Sequence, residues 1–275
     1  MSKKTKLYLI TSLILLTLIV FAGCENPWMK KNAGHLVKDN KETKKDDVIE
    51  GIRISTSGDW ARIISEMESS GTYTIILDSG FDITGNASTP TFGNLTGIDV
   101  TIIGNGNALT LSGTGNLLRL VEGQKVTIQD VILYGTSLSN PPLVAVVGGE
   151  FIMGGTSSIA GNYTTMDGGG VRVTANGTFI MNGGTISGNT AHYGGGVDVV
   201  VGTFFMNGGT ISGNMAQNGG GVYVDIVGIF NKNGGSISGN TATVTGASLY
   251  VTNGGSTNVP GFTPGADWST DNPLP

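Results

Sequence analysis

The sequence has little cysteine and little charge, and each shortage excludes a class of protein. One cysteine among 275 residues allows no disulfide within the chain. Charged residues make up 13% and the formal net charge is −5, which argues against a nucleic-acid-binding surface. Hydrophobic residues nevertheless reach 39%, which is too many for a disordered linker, so we expect a folded core.

Glycine is the residue that the sequence has in excess. It occupies 46 of the 275 positions, well above the roughly 7% of an average protein. Collagen would need glycine at every third residue, and this sequence does not follow that period. The excess is therefore expected to belong to turns of a repeated structural unit.

Residues 1–23 have the layout of a secretory signal peptide. Three lysines precede an uncharged apolar run over residues 7–23, which is short for a transmembrane helix. The run ends at the sole cysteine, and residues 21–24 (FAGC) resemble the lipobox of bacterial lipoproteins. The resemblance implies acylation of Cys24, attachment to a membrane through that lipid, and export to the outer membrane or cell surface more than to the inner membrane.

Residues 24–52 mix acidic and basic side chains and contain few apolar ones. We interpret this stretch as a flexible tether between the lipid anchor and the folded part. A basic membrane-binding patch at Lys30 and Lys31 is the alternative, which the interspersed acidic residues disfavour. At the other end of the chain, residues 259–275 form a tail rich in proline and glycine.

A repeat of 25 or 26 residues is clearest at Phe179, Phe204 and Phe230. Each copy contains short runs of alternating apolar residues separated by glycine and asparagine, which is typical of strands. Three short strands per copy, each stacked on its counterpart, predict an all-β fold: a right-handed parallel β-helix of about seven coils over residues 53–258. Fainter copies begin at Ile75, Val100, Val126 and Phe151.

Positions that align between copies predict which side chains face inward. Two valine ladders and one isoleucine ladder are expected to form the core, with Phe179, Phe204 and Phe230 as a further ladder. The alternate positions are expected to point outward, and they hold Arg172, Asp198, Tyr223 and Tyr250. The turn asparagines are expected to exchange amide hydrogen bonds from coil to coil, and they are Asn189, Asn214 and Asn240.

A short amphipathic helix is predicted near residues 59–69. Apolar residues recur there at Trp60, Ile63, Ile64 and Met67, directly after residues that favour a helix N-terminus. An exposed end of a β-helix needs a cover, so we expect this helix to cap the first coil.

The repeat motifs resemble those of a known family. Residues 179–182, 204–207 and 230–233 fit the pattern FxxN, and the GGGV runs at 194–197 and 219–222 are close to GGA[ILV]. Both patterns are similar to the repeats of polymorphic outer membrane proteins, which are surface adhesins within the broader pectate-lyase-like superfamily. The resemblance implies surface display and adhesion, with a host protein, a matrix protein or a polysaccharide as the partner.

The same superfamily includes polysaccharide lyases and hydrolases, so a catalytic alternative stays open. Asp198 and Asp225 are predicted to point outward with their backbones roughly 8 Å apart, within the spacing of about 5 to 9.5 Å that glycosidase carboxylates use. The simpler interpretation is an exposed ion pair between Asp198 and Arg172 of the preceding coil, and it needs no ligand. We therefore expect a non-catalytic, monomeric module and keep the sugar-active enzyme as the alternative.

Neither histidine belongs to a recurring cluster. His35 lies in the tether, and His192 lies in a turn where the next copy has Gln217. No metal, cofactor or nucleic acid is expected as a partner.

Overall fold

A computed structural model describes residues 51–137, 141–260 and 262. In this part the chain winds into a right-handed parallel β-solenoid of about eight turns with one short helix. The predicted fold class is confirmed, and the number of turns exceeds the predicted seven by one. The signal peptide, Cys24, His35 and most of the tail lie outside the described residues.

Three parallel sheets form the solenoid, and each turn contributes one strand to most of them. Strands are numbered along the chain. Sheet 1 has nine strands, in the order Ile52–Ile54 (β1), Thr72–Leu77 (β2), Ile98–Ile103 (β4), Gln124–Gln129 (β7), Glu150–Gly154 (β10), Thr178–Met181 (β13), Thr203–Met206 (β16), Ile229–Lys232 (β20) and Ser256–Thr257 (β24).

The other sheets are built in the same way. Sheet 2 has the strands Phe81–Thr84 (β3), Ala108–Ser112 (β5), Ile132–Tyr134 (β8), Ser158–Ala160 (β11), Thr185–Ser187 (β14), Thr210–Ser212 (β17) and Ser236–Ser238 (β21). Sheet 3 has Leu118–Val121 (β6), Val144–Val147 (β9), Val171–Thr174 (β12), Val197–Val199 (β15), Val222–Val224 (β19) and Leu249–Val251 (β23). A fourth, two-stranded sheet pairs Met215–Asn218 (β18) with Thr241–Thr245 (β22).

The core consists of the predicted ladders. The rings of Phe179 and Phe204 are parallel with centroids 4.8 Å apart, and Phe230 continues the stack at 5.0 Å. The predicted valine and isoleucine ladders are in register and buried. One alignment is wrong, because Val100 pairs with Tyr73 and Ile75 pairs with Ile102. The offset is two residues, so the inward face is the same.

The predicted asparagine ladder is confirmed and buried. Asn189 Nδ2 donates to Asn214 Oδ1 at 3.0 Å, and Asn214 Nδ2 donates to Asn240 Oδ1 at 3.0 Å. The same carbonyl oxygens accept the backbone N–H of the preceding turn's asparagine. A second ladder along the FxxN positions is exposed, where Asn207 bonds Asn182 at 2.9 Å.

The helix Ser57–Glu66 (α1) begins two residues earlier and ends three earlier than predicted. It begins there because the Thr56 hydroxyl accepts the Asp59 N–H at 3.1 Å, which satisfies a free helix donor. Trp60 and Ile63 are buried on its inner face. The helix follows β1 along the chain, so it is inserted within the first turn and does not precede the solenoid.

Glycine at one corner lets successive turns approach closely. A Cβ added at Gly195 would lie 2.6 Å from the Gly220 carbonyl oxygen, and one at Gly220 would lie 2.7 Å from that of Ala247. Real Cβ atoms do not come so near to a carbonyl oxygen. In the last of these turns Ala247 stands where the others have glycine.

Candidate functional site

The outward positions of sheet 3 bring the sequence-predicted site residues into one file. Arg172 pairs with Asp198, Asp198 with Tyr223 and Tyr223 with Tyr250. Their alignment is therefore as predicted. The expected exposure is wrong for Asp198, which is 0% exposed, and for Tyr223, which is also buried.

A folded-back turn contributes to the burial of Asp198. Gly194 has φ of +59°, and a Cβ placed there would lie 2.8 Å from Cα of Asp198. The chain before the glycine run thus returns over the outer face of its own strand. Tyr193 directly precedes Gly194, and its ring stacks on that of Tyr223, the register partner of Asp198.

Three tyrosine rings form a stack along this face. Tyr193 and Tyr223 have centroids 4.8 Å apart at an interplanar angle of 9°, and Tyr223 and Tyr250 are 5.6 Å apart at 18°. His192 packs against Tyr193 at 3.9 Å. The sequence did not indicate Tyr193 or His192, because the equivalent residues of neighbouring turns are not aromatic. The sequence signal that could have located them is Gly194, because a glycine at that position allows the chain to turn back over the strand.

Charged side chains lie beside the Tyr193 end of the stack. Arg172 Nε is 3.0 Å from Asp198 Oδ2, and Arg172 Nη2 is 3.3 Å from Asp167 Oδ2. Asp167 Oδ1 also lies 3.3 Å from His192 Nδ1. Among the described residues, neither oxygen of Asp198 nor the Nε of Arg172 has a well-directed hydrogen bond. The contact is thus an ion pair by distance without good hydrogen-bond geometry.

Burial controls the protonation of Asp198. It raises the pKa of this carboxyl group from 3.8 to about 8, while the charge of Arg172 lowers the pKa and those of Asp167 and Asp225 raise it further. An ion pair at 3.0 Å would favour the charged form, but a buried carboxylate without hydrogen bonds loses more by desolvation than one cation returns. Burial therefore favours the neutral form of Asp198 in the folded protein.

Asp225 follows β19 and is half-buried. Its charge contributes to the raised pKa of both Asp198 and Tyr223, so it lies close to the stack, and burial is the larger cause at both. The sequence predicted an exposed pair of carboxylates here. That pair is not present, because Asp198 is covered and only Asp225 reaches solvent.

A separate open groove lies where sheet 3 turns into sheet 1 in earlier turns. Its volume is about 460 Å³, and its polar walls include Asp99, Lys125, Glu150 and Asn176. Lys125 Nζ is 2.9 Å from Asp99 Oδ2, and this hydrogen bond raises the pKa of Lys125 against the opposing effect of desolvation. None of the sequence-predicted site residues lines the groove.

Within the described residues, no three His, Cys, Asp or Glu side chains come together in a way that could hold a metal ion. In the same residues no helix combines the length and apolarity that crossing a bilayer requires.

Comparison with protein-family models, with curated proteins and with solved structures found no match. The parallel β-solenoid is thus established by the structure, while the adhesin family rests on the repeat motifs alone.

Proposed function

We propose that this chain is a lipid-anchored protein of the cell envelope whose β-helix is a non-catalytic binding module of the adhesin type. The FAGC run at residues 21–24 supports the anchor, and the FxxN repeats support surface display. The continuous ladders of the core support a rigid rod that presents its faces at fixed spacing.

The burial of Asp198 is the observation that carries the non-catalytic part of this proposal. A general acid must come within hydrogen-bond distance of its substrate, and the Asp198 side chain is covered by its own turn. The side chain instead completes a packed outer layer with Arg172 and the stacked tyrosines.

The anchor is tested by metabolic labelling with radioactive palmitate. We expect label on the wild-type protein and none on Cys24→Ala, because Cys24 carries the only thiol in the chain. Protease treatment of intact cells should remove the wild-type rod from the surface. Label on Cys24→Ala would refute acylation at this residue, and protection from protease would refute surface display.

One observation favours a second candidate, a carbohydrate-active β-helix that uses Asp198 and Asp225. A carboxyl group that is protonated near pH 7 is what a general acid requires, and the pKa of Asp198 is raised to about 8. Activity against a panel of polysaccharides, lost in both Asp198→Asn and Asp225→Asn while the fold is retained, would establish this candidate in place of the first.

A further inference from the structure

The outer face of sheet 2 carries two parallel files of small hydroxyl side chains over three consecutive turns. The register between β14, β17 and β21 places hydroxyl-bearing residues next to hydroxyl-bearing residues in successive turns. The first file is Thr185, Thr210 and Ser236, and the second is Ser187, Ser212 and Ser238. All six side chains are partly exposed, while the isoleucine between them in each strand is buried.

These six hydroxyl groups make no hydrogen bond to any described residue. Other hydroxyl groups of the solenoid do, since Thr156 bonds Asp130 at 2.8 Å and Thr245 bonds Asn218 at 2.7 Å. A hydroxyl group has one donor and two acceptor positions. The six therefore leave a full set of hydrogen-bonding positions for water or for a ligand.

The backbone fixes the spacing of these groups. Neighbouring turns are about 4.8 Å apart, and side chains two residues apart on a strand are about 6.6 Å apart. Backbone pairing holds β14 and β17 on both sides and β21 on one side, so little conformational freedom remains to be lost on binding. The result is a preorganised grid of neutral donors and acceptors.

An exposed aromatic ring lies at one end of the grid. Tyr134 pairs in register with Ala160, and Ala160 pairs with Ser187, so Tyr134 extends the second file two turns away. Its side chain is 49% exposed. A Cβ at Gly161 would lie 2.8 Å from Cζ of Tyr134, so the ring lies against this glycine.

The grid carries no charge. From β8 to β21 every outward position of sheet 2 is aliphatic, aromatic or hydroxyl-bearing. A charged ligand would find no counter-ion on this face. A neutral ligand with closely spaced hydroxyl groups and one apolar ring face fits it best.

We propose that the sheet 2 face binds a neutral polysaccharide, with one sugar ring stacked on Tyr134 and the following units hydrogen-bonded to the two hydroxyl files. Sugar hydroxyl groups both donate and accept, as the serine and threonine groups do. The C–H face of a sugar ring suits the electron-rich face of an aromatic ring. This inference rests on the proposed binding function and names its ligand class and its site.

The test uses purified full-length protein and immobilised neutral hexaoses of glucose, N-acetylglucosamine, mannose and galactose, with polygalacturonate as the acidic comparison. We expect retention on at least one neutral hexaose and weaker retention on polygalacturonate. Thr210→Val removes one hydroxyl group at nearly constant shape and should weaken binding about threefold to tenfold. Tyr134→Leu should weaken binding at least as much.

Thr203→Val is the matched control. Thr203 is an outward, partly exposed threonine on sheet 1, so its loss should leave binding unchanged. Equal binding by wild type and Thr210→Val, equal loss in Thr203→Val, or failure of every neutral hexaose to bind would overturn the site. Palmitate labelling of Cys24 and protease treatment of intact cells test the lipid anchor independently. Failure of sugar binding would therefore overturn this binding site without refuting the anchor.

Discussion

Asp198 shows how one side chain can link the stability of the solenoid to pH. Its pKa is raised from 3.8 to about 8 in the folded state, chiefly by burial. The folded protein therefore holds this proton over a range in which the unfolded chain has lost it. The stabilisation is fully present below about pH 4, decreases as pH rises from about 4 to 8, and does not return above that.

We predict that Asp198→Asn removes this dependence. The free energy of unfolding of the wild type should be lower at pH 9 than at pH 5, by up to a few kcal/mol at about 1.4 kcal/mol per pH unit. The amide keeps the shape and has no charge to bury, so the variant should be the more stable protein at pH 9. Urea unfolding at both pH values measures the difference.

Asp225→Asn is the control for this experiment, because Asp225 is only half-buried. It should keep most of the wild-type pH dependence. A wild-type slope in Asp198→Asn would show that Asp198 is ionised in the folded protein and that Arg172 outweighs its burial.

The sequence could predict the file of Arg172, Asp198 and Tyr223, because repeat alignment places equivalent residues in register. It could not predict the burial of Asp198. That burial involves the turn at Gly194, which brings the chain against Asp198. Residue 193, just before this turn, is a tyrosine only here, and its equivalents in neighbouring turns are Asp167, Asn218 and Thr245. The alternation of side chains along a strand predicts which of them point away from the core. It does not predict whether a neighbouring turn then covers those side chains.

At the scale of elements, the buried asparagine ladder joins turns more strongly than the exposed one. Asn214 accepts from both the backbone and the side chain of Asn189 and donates to the Ile186 carbonyl oxygen. Each of these groups is buried, so loss of the side chain leaves several polar atoms without partners.

We predict that Asn214→Ala lowers the free energy of unfolding by about 3 to 5 kcal/mol. Asn207→Ala is its counterpart in the exposed FxxN ladder, where water replaces the lost bond, and should cost less than about 1 kcal/mol. Urea midpoints of the two variants give the comparison. Similar losses would mean that the two ladders contribute alike.

Strand positions were best predicted where turns carry clear markers. In the turns from Phe151 to Phe230, phenylalanine, glycine pairs and asparagine recur and set the register. The first turns lack these markers, and there Ile75 was aligned two residues from its true register. Helix α1 was shifted similarly, since apolar spacing locates a helix while the Thr56 hydroxyl sets its start.

At the scale of the whole molecule, the solenoid is a stack in which each turn contacts mainly its two neighbours. Nine strands of sheet 1 at about 4.8 Å give a length of about 38 Å. Stability in such a stack is close to a sum over turns and their interfaces. Removal of one whole turn should therefore shorten the rod without destroying it.

We predict that deletion of residues 179–203 yields a folded protein. Thr178 and Thr203 are register partners, so Phe204 takes the place of Phe179 at the new junction. The variant should keep a strand-type far-UV spectrum and unfold cooperatively at a lower urea concentration than the wild type. Deletion of residues 179–190, which removes half a turn and breaks every register, should not fold. If the variant that lacks residues 179–190 folded, the idea that each turn must keep its register with its neighbours would be wrong.

The glycine corner also bears on whether another chain could add to the end of the rod. A parallel stack has at its end a strand edge onto which another copy can add, as in a growing fibril. Gly195 and Gly220 admit the next turn because they have no side chain, and Ala247 has a methyl group at the corresponding place. A chain arriving at that corner meets this methyl group at the point where close approach is required. At this corner Ala247 would therefore hinder the addition of a further turn that needs glycine there.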